Sequence, residues 1–283
     1  MSAQRSAARR DAPWLVMTLI GVSLVYFALV LLLPLGTVFF EALRRGFGPY
    51  FTALADPYAQ SAMKLTLLVT AIVVPLNTVF GVAAAWAVTK FDFWGKSALL
   101  TLIDMPFSMS PVISGLVFVL LYGSQGWFGQ ILYDLDIQII FTVTALVLAT
   151  TLVTLPFVAR EIIPLMQAQG TDEEAAAATL GAGPWRTFFL VTLPNIRWAL
   201  MYGVLLCTAR AMGEFGAVAV VSGRIRGETA TMPLHVEILY NEYQSVAAFA
   251  VASLLALFAL VTLGVKTLLE ARFAEDIVAQ RTR

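Results

Sequence analysis

The chain reads as an all-α membrane protein with six transmembrane helices and both termini in the cytoplasm. Three observations predict this. Of its 283 residues, 59% are apolar and only 13% are charged, whereas soluble domains average about 45–50% and about 25%. The mean hydropathy is +0.83. The apolar residues fall into six runs, and Lys and Arg are sorted unequally between the segments joining them. Low charge and a formal net charge of zero argue against a soluble enzyme, a disordered chain or a basic nucleic-acid binder.

A membrane-crossing helix needs about 20 mostly apolar residues. The six runs cover 14–40, 65–88, 99–122, 137–158, 198–221 and 246–265. The first follows a basic leader with Arg5, Arg9 and Arg10. Its apolar stretch is too long for the core of a signal peptide, and no small-residue cleavage site follows, so an uncleaved span is expected. Pro34 lies in the first run, Pro75 and Asn77 in the second, Pro106 and Pro111 in the third. Proline removes a backbone donor, so kinks or short breaks are expected there. No repeat or low-complexity segment is visible. The expected layout is a cytoplasmic tail over 1–13, one membrane domain over 14–266 and a cytoplasmic tail over 267–283.

Basic residues near span ends mark the cytoplasmic side. Arg5, Arg9, Arg10, Lys90, Lys96, Arg160, Arg186, Arg197, Lys266, Arg272, Arg281 and Arg283 fall on one side. Arg44, Arg45, Lys64, Arg224 and Arg226 fall on the other. The excess places both termini inside. Residues 123–136 carry no Lys or Arg, as an outer loop should.

Between the fourth and fifth runs lies a short helix that cannot span, at about 171–181. Thr171 is a candidate N-cap and Glu174, three residues on, would complete a capping box. Asp172, Glu173 and Glu174 suit the positive helix end. A run of alanines beginning at Ala175 and Ala176 favours helix. Gly181 suits the position after the last turn, and Pro184 stops continuation. The small side chains would let another backbone approach. Both a surface connector and a docking element fit these residues.

This segment resembles the cytoplasmic signature of ABC-importer permeases: Glu-Ala-Ala, three residues, Gly, nine residues, Ile, one residue, Leu-Pro. Here Gly181 is followed at the same interval by Val191, Thr192, Leu193 and Pro194. Counting back from Gly181, the Glu slot holds Ala175, and Glu174 sits one residue early. That departure leaves open whether Glu174 touches a partner. The resemblance implies a type I importer permease fold, with Thr171 to Ala176, Gly181, Val191, Leu193 and Pro194 forming a coupling element seated on an ATPase subunit.

Other segments narrow the resemblance. The segment from Asp104 through Pro106, Ser108, Ser110 and Pro111 to Gly115 is similar to the third-helix region of oxyanion permeases. Ala209-Arg210-Ala211-Met212-Gly213-Glu214-Phe215-Gly216-Ala217 resembles the fifth-helix motif of sulfate and molybdate permeases. The continuation through Gly223, then Arg226-Gly227-Glu228-Thr229, resembles the W-type (CysW-type) permeases of sulfate/thiosulfate importers. This implies a bacterial inner-membrane subunit, paired with a homologous T-type permease, two ATPase subunits that bind ATP and Mg, and a periplasmic binding protein. A molybdate or tungstate permease is the alternative within the class. An ion-gradient-driven transporter is the alternative outside it.

Arg210 and Glu214 are four apart and would share a helix face. A charge inside a span faces protein or a water-filled cavity. The pair could only pin its helix, or could line a pathway with Gly213, Phe215, Gly216, Pro106, Ser108, Ser110 and Pro111. Gly213 and Gly216 could equally serve close helix contact. Asp104 reads as a cap or an interface residue, and the segment 224–243 as a long polar outer loop containing His235. The one cysteine, Cys207, permits no intrachain disulfide, and a lone His makes no metal site. Gly95-Lys96-Ser97 ends like a phosphate-binding loop, but Lys90 stands where the first Gly is required. No catalytic residues, resident cofactor or nucleic-acid contact are expected.

Overall fold

The computed structural model describes residues 13–282, and these are helical apart from short connections. Arg5, Arg9, Arg10 and Arg283, counted above toward the inner side, lie outside the described residues. In chain order the elements are α1 (Pro13–Phe27), a π-turn (Ala28–Leu32), α2 (Leu33–Leu43), α3 (Phe47–Ala55), α4 (Pro57–Lys90), α5 (Lys96–Ser108), α6 (Pro111–Tyr122), α7 (Gly129–Asp134), α8 (Val143–Thr154) and α9 (Pro156–Gln169). There follow α10 (Asp172–Thr179), α11 (Pro184–Thr187), a second π-turn (Phe188–Thr192), α12 (Leu193–Met212), α13 (Gly216–Val221), α14 (Met232–Asn241) and α15 (Ser245–Thr282).

Among the described residues five helices are long and apolar enough to cross a bilayer, or six if one bent pair counts as a span. Each expected run falls in one of them, but three boundaries differ. The third run is not one straight span: α5 and α6 meet at 111°. Pro111 opens α6, and a proline disfavours the helical region for the residue before it; Ser110 adopts φ −62, ψ 134. The fourth span starts later and ends later than 137–158, running Val143–Gln169. Phe141 (φ +66) instead donates its N–H to the Val221 carbonyl, at 3.0 Å. The fifth span begins at Pro184 rather than 198 and stops at Met212. Arg186, Asn195 and Arg197 dilute its first half and hid it from an apolar-run reading.

The membrane core is knit by small residues and a few buried polar groups. A Cβ on Gly81 of α4 would stand 2.8 Å from the Val158 side chain, and one on Gly203 of α12 would stand 3.0 Å from Val158 Cα. Both helices therefore close on α9 where a side chain is missing. Asn77, fully buried, donates from Nδ2 to Thr154 Oγ1 at 2.8 Å and ties α4 to α8. Ile103, Ile162, Met166, Ile196 and Cys207 fill the volume around Val158.

The charged segments separate to opposite ends. Asp56 caps α4 at one end through Tyr58 N (2.9 Å) and Ala59 N (3.1 Å). Lys90 finishes α4 at the other end, beside Gly170 and Glu174. Residues 224–243 are not a polar loop throughout: α14 buries Met232, Leu234, His235 and Leu239. The segment 267–283 continues α15 as helix as far as Thr282.

Candidate functional site

Two clusters assemble the candidate residues. The first is the short helix α10. Its end is built as the sequence suggested: Gly181 (φ +83) donates to Ala178 O at 3.0 Å, and Ala182 N donates to Ala177 O at 3.0 Å. These paired bonds satisfy the last carbonyls, and the left-handed residue must be small.

The beginning differs from expectation. Thr171 makes no side-chain cap, and Glu174 does not complete a capping box. Glu174 Oε1 instead lies 2.8 Å from Lys90 Nζ and accepts from Thr192 Oγ1 at 3.2 Å. Glu173 accepts from Asn195 Nδ2, and Gln169 Nε2 donates to Asn195 O at 3.3 Å. Competition from these tertiary donors draws Glu174 inward, while Glu173 bonds Asn195 and stays exposed. Asp172, Ala175, Ala176 and Gly181 remain exposed, and Leu180 stands 88% exposed at the end of the helix.

Val191, Leu193 and Pro194 sit behind α10, where the second π-turn meets α12. Pro194 has no N–H to donate to Leu190 and its ring crowds that carbonyl. The turn widens in response, so that Leu193 N–H reaches back to Phe188 O. Pro34 follows the same arrangement in the first span, where Leu33 N–H bonds Ala28 O. Trp86 packs against Phe188 (ring centroids 4.9 Å) and Trp185 (6.4 Å), fastening this segment to α4.

The second cluster is formed by two broken spans. The α5/α6 break and the break at residues 213–215 lie against each other. A Cβ on Gly216 would stand 3.0 Å from Pro111 Cβ, and one on Gly115 would stand 2.6 Å from Ala217 O. Gly216 thus serves close helix contact. Gly213 has only Ala209 O nearby, at 3.6 Å, so its role lies in ending α12.

The Arg210–Glu214 pair forms, at 2.5 Å, but not on one continuous helix. Glu214 stands in the break and its Oε1 accepts from Ala217 N at 2.9 Å, anchoring the first turn of α13. Its side chain is 1% exposed, that of Arg210 32%. Ser108, Ser110, Gly213 and Phe215 lie exposed around the same breaks, while Pro106 is buried. Asp104 is neither a cap nor alone: Arg160 of α9 donates to it at 2.8 Å and lies 4.5 Å over the Phe107 ring. In the sequence Arg160 and Lys90 carry no sign of these carboxylate partners. Nothing in a single sequence pairs them with carboxylates on distant elements.

The opposite end carries a cavity of about 1030 Å³ lined by Arg45, Asp56, Tyr58, Arg226 and His235 among others. Arg226 pairs with Glu242 and holds that carboxyl below the usual carboxylate range. Burial, aided by the Arg226 charge, lowers the His235 pKa. Among the described residues no group of three His, Cys, Asp or Glu side chains could hold a metal ion.

Comparison with known proteins gives three findings. Residues 77–275 match the family described as binding-protein-dependent transport system inner membrane component. The chain is 55% identical over 254 residues to the sulfate transport system permease protein CysW of Synechocystis sp., covering 90% of this chain and 92% of that one. It is 33% identical over 272 residues to the sulfate transport system permease protein CysT of Escherichia coli (strain K12), covering 96% and 98%. Its fold is similar to a chain of a bacterial alginate ABC transporter crystallised with an alginate-bound periplasmic protein. That match has a TM-score of 0.76 at 19% identity, over 95% of this chain and 97% of the other.

Proposed function

We propose a function from one premise: the chain belongs to the family of binding-protein-dependent transport system inner membrane components. It acts as the W-type permease subunit of an ABC importer for sulfate and thiosulfate in the bacterial inner membrane. The identity to a sulfate permease along nine-tenths of the chain carries this reading. A homologous T-type subunit supplies the other half of the pathway, two ATPase subunits bind ATP and Mg, and a periplasmic binding protein delivers the anion.

The geometry gives the mechanism its parts. Non-helical backbone at membrane depth is tolerated only when buried in protein or lining water. In this reading the adjoining breaks in the third and fifth spans, with Ser108, Ser110 and Gly213 open beside them, line the pathway. α6 begins at its break, so its positive dipole end offers weak attraction to an anion. Arg210 adds a cation already paired with Glu214. A dianion passes such a site without being trapped, as conduction requires. Selectivity then falls to the binding protein. On the other face, α10 with Leu180 at its tip receives the stroke of the ATPase.

The test is uptake by the complex reconstituted in vesicles. Labelled sulfate should enter only with ATP and the loaded binding protein, and purification should recover a second, distinct permease. Uptake driven by an ion gradient without ATP would overturn the class, and a homodimer preferring molybdate would overturn the substrate.

A further inference from the structure

The register of α10 has a consequence for coupling. An α-helix turns about 100° per residue. Moving the signature carboxylate from position 175 to 174 therefore swings it from the open face of α10 to the face against the protein. Ala175 is exposed, whereas Glu174 keeps only 20% of its side-chain surface. Lys90 is more buried still, at 8%, and its ammonium has two partners, the Glu174 carboxylate and the Gly170 carbonyl. A buried ammonium without its counter-charge is strongly unfavourable, so the two groups hold each other in place. Thr192, 2% exposed on the π-turn that Pro194 forces, completes the junction from the third side.

We propose that Lys90, Glu174 and Thr192 form a strut that fixes α10 to α4 and α12, and that Glu174 makes no contact with the ATPase. Resting on the importer reading above, these are positioning residues for coupling ATP hydrolysis to anion passage. A force applied at Leu180 passes through the strut into the two long spans rather than flexing the short helix. The Leu-Pro of the signature acquires a physical meaning: it makes the wide turn that presents the Thr192 hydroxyl to Glu174.

The experiment uses the whole complex, with sulfate uptake and ATP hydrolysis measured together and hydrogen exchange followed over residues 171–181. Lys90→Met and Glu174→Gln should each leave the ATPase bound and hydrolysing. Sulfate moved per ATP should fall about fivefold, the scale of one such coupling. Amide exchange in α10 should rise. The reversal Lys90→Glu with Glu174→Lys should recover about half of the lost coupling, because the pair term returns while the Gly170 contact does not. Thr192→Val, which removes only a hydroxyl, gives a milder loss of the same kind and guards against misfolding of the charge variants. Loss of the ATPase on Glu174→Gln with no effect of Lys90→Met would make Glu174 a partner contact and overturn the strut. Unchanged α10 exchange in Lys90→Met would overturn it too. If the wild-type complex moves no sulfate, the substrate reading fails, while the exchange measurement still decides the strut.

Discussion

Arg210 and Glu214 answer each other in charge but not in environment, and the difference assigns them different work. Glu214 is buried and committed twice, to Arg210 and to the Ala217 amide. Arg210 keeps a third of its side chain open beside the breaks. In the proposed importer the arginine is the group that a passing anion would meet, while the glutamate holds the arginine and the start of α13. Arg210→Ala should therefore lower sulfate uptake roughly tenfold, equivalent to about 1.4 kcal/mol, while subunits still co-purify. Normal uptake by this variant would remove Arg210 from the pathway. Its thermal stability in detergent should drop by about 1–2 kcal/mol, the buried-pair cost discounted for the exposure of Arg210. Adding Glu214→Gln to that background should restore part of the stability, since no unpaired carboxylate stays buried, and none of the uptake.

At the scale of elements, the spans were legible because run length alone separates a membrane helix from a buried soluble one. Gly181 and Pro184 likewise announced the end of α10 in advance. The breaks were legible only as punctuation. Pro111 disfavours helical geometry at Ser110, but no local rule supplies the 111° between α5 and α6 or the close packing of α6 on α13. The same holds for Glu174: local capping chemistry and a distant lysine competed for one carboxylate, and the lysine won. Small residues show how much tertiary approach decides. Gly115→Ala would force a methyl to within 2.6 Å of the Ala217 carbonyl. That contact can relax only by parting α6 from α13, at about 1–3 kcal/mol. Gly213→Ala meets nothing closer than 3.6 Å. Melting of the purified complex should therefore drop for Gly115→Ala and stay near wild type for Gly213→Ala. Equal losses would mean that the two breaks are not packed as described.

Taken whole, the molecule exposes what a soluble protein would hide. None of the most apolar window of Trp14–Leu43 is buried within the chain, and only a third of that in Pro57–Lys90 is. In a bilayer that surface faces lipid or a second permease, and neither carries a penalty for apolar contact. The breaks and the two charged ends are polar, and in the proposed importer water, anion and partners would meet the protein there. This division can be read chemically, because the only cysteine, Cys207, is wholly buried and would not answer a bulky reagent. Ser110→Cys and Phe215→Cys should react with a charged, membrane-impermeant thiol reagent in the assembled complex. If the two breaks line a path that opens to one side at a time, the rate should change when a non-hydrolysable ATP analogue closes the ATPase pair, because the ligand favours one of two arrangements. Leu24→Cys, on the lipid-facing first span, should stay unreactive in both states. Equal labelling of Ser110→Cys with and without the analogue would show that the breaks are static packing features, and the pathway would have to be sought along another face of the bundle.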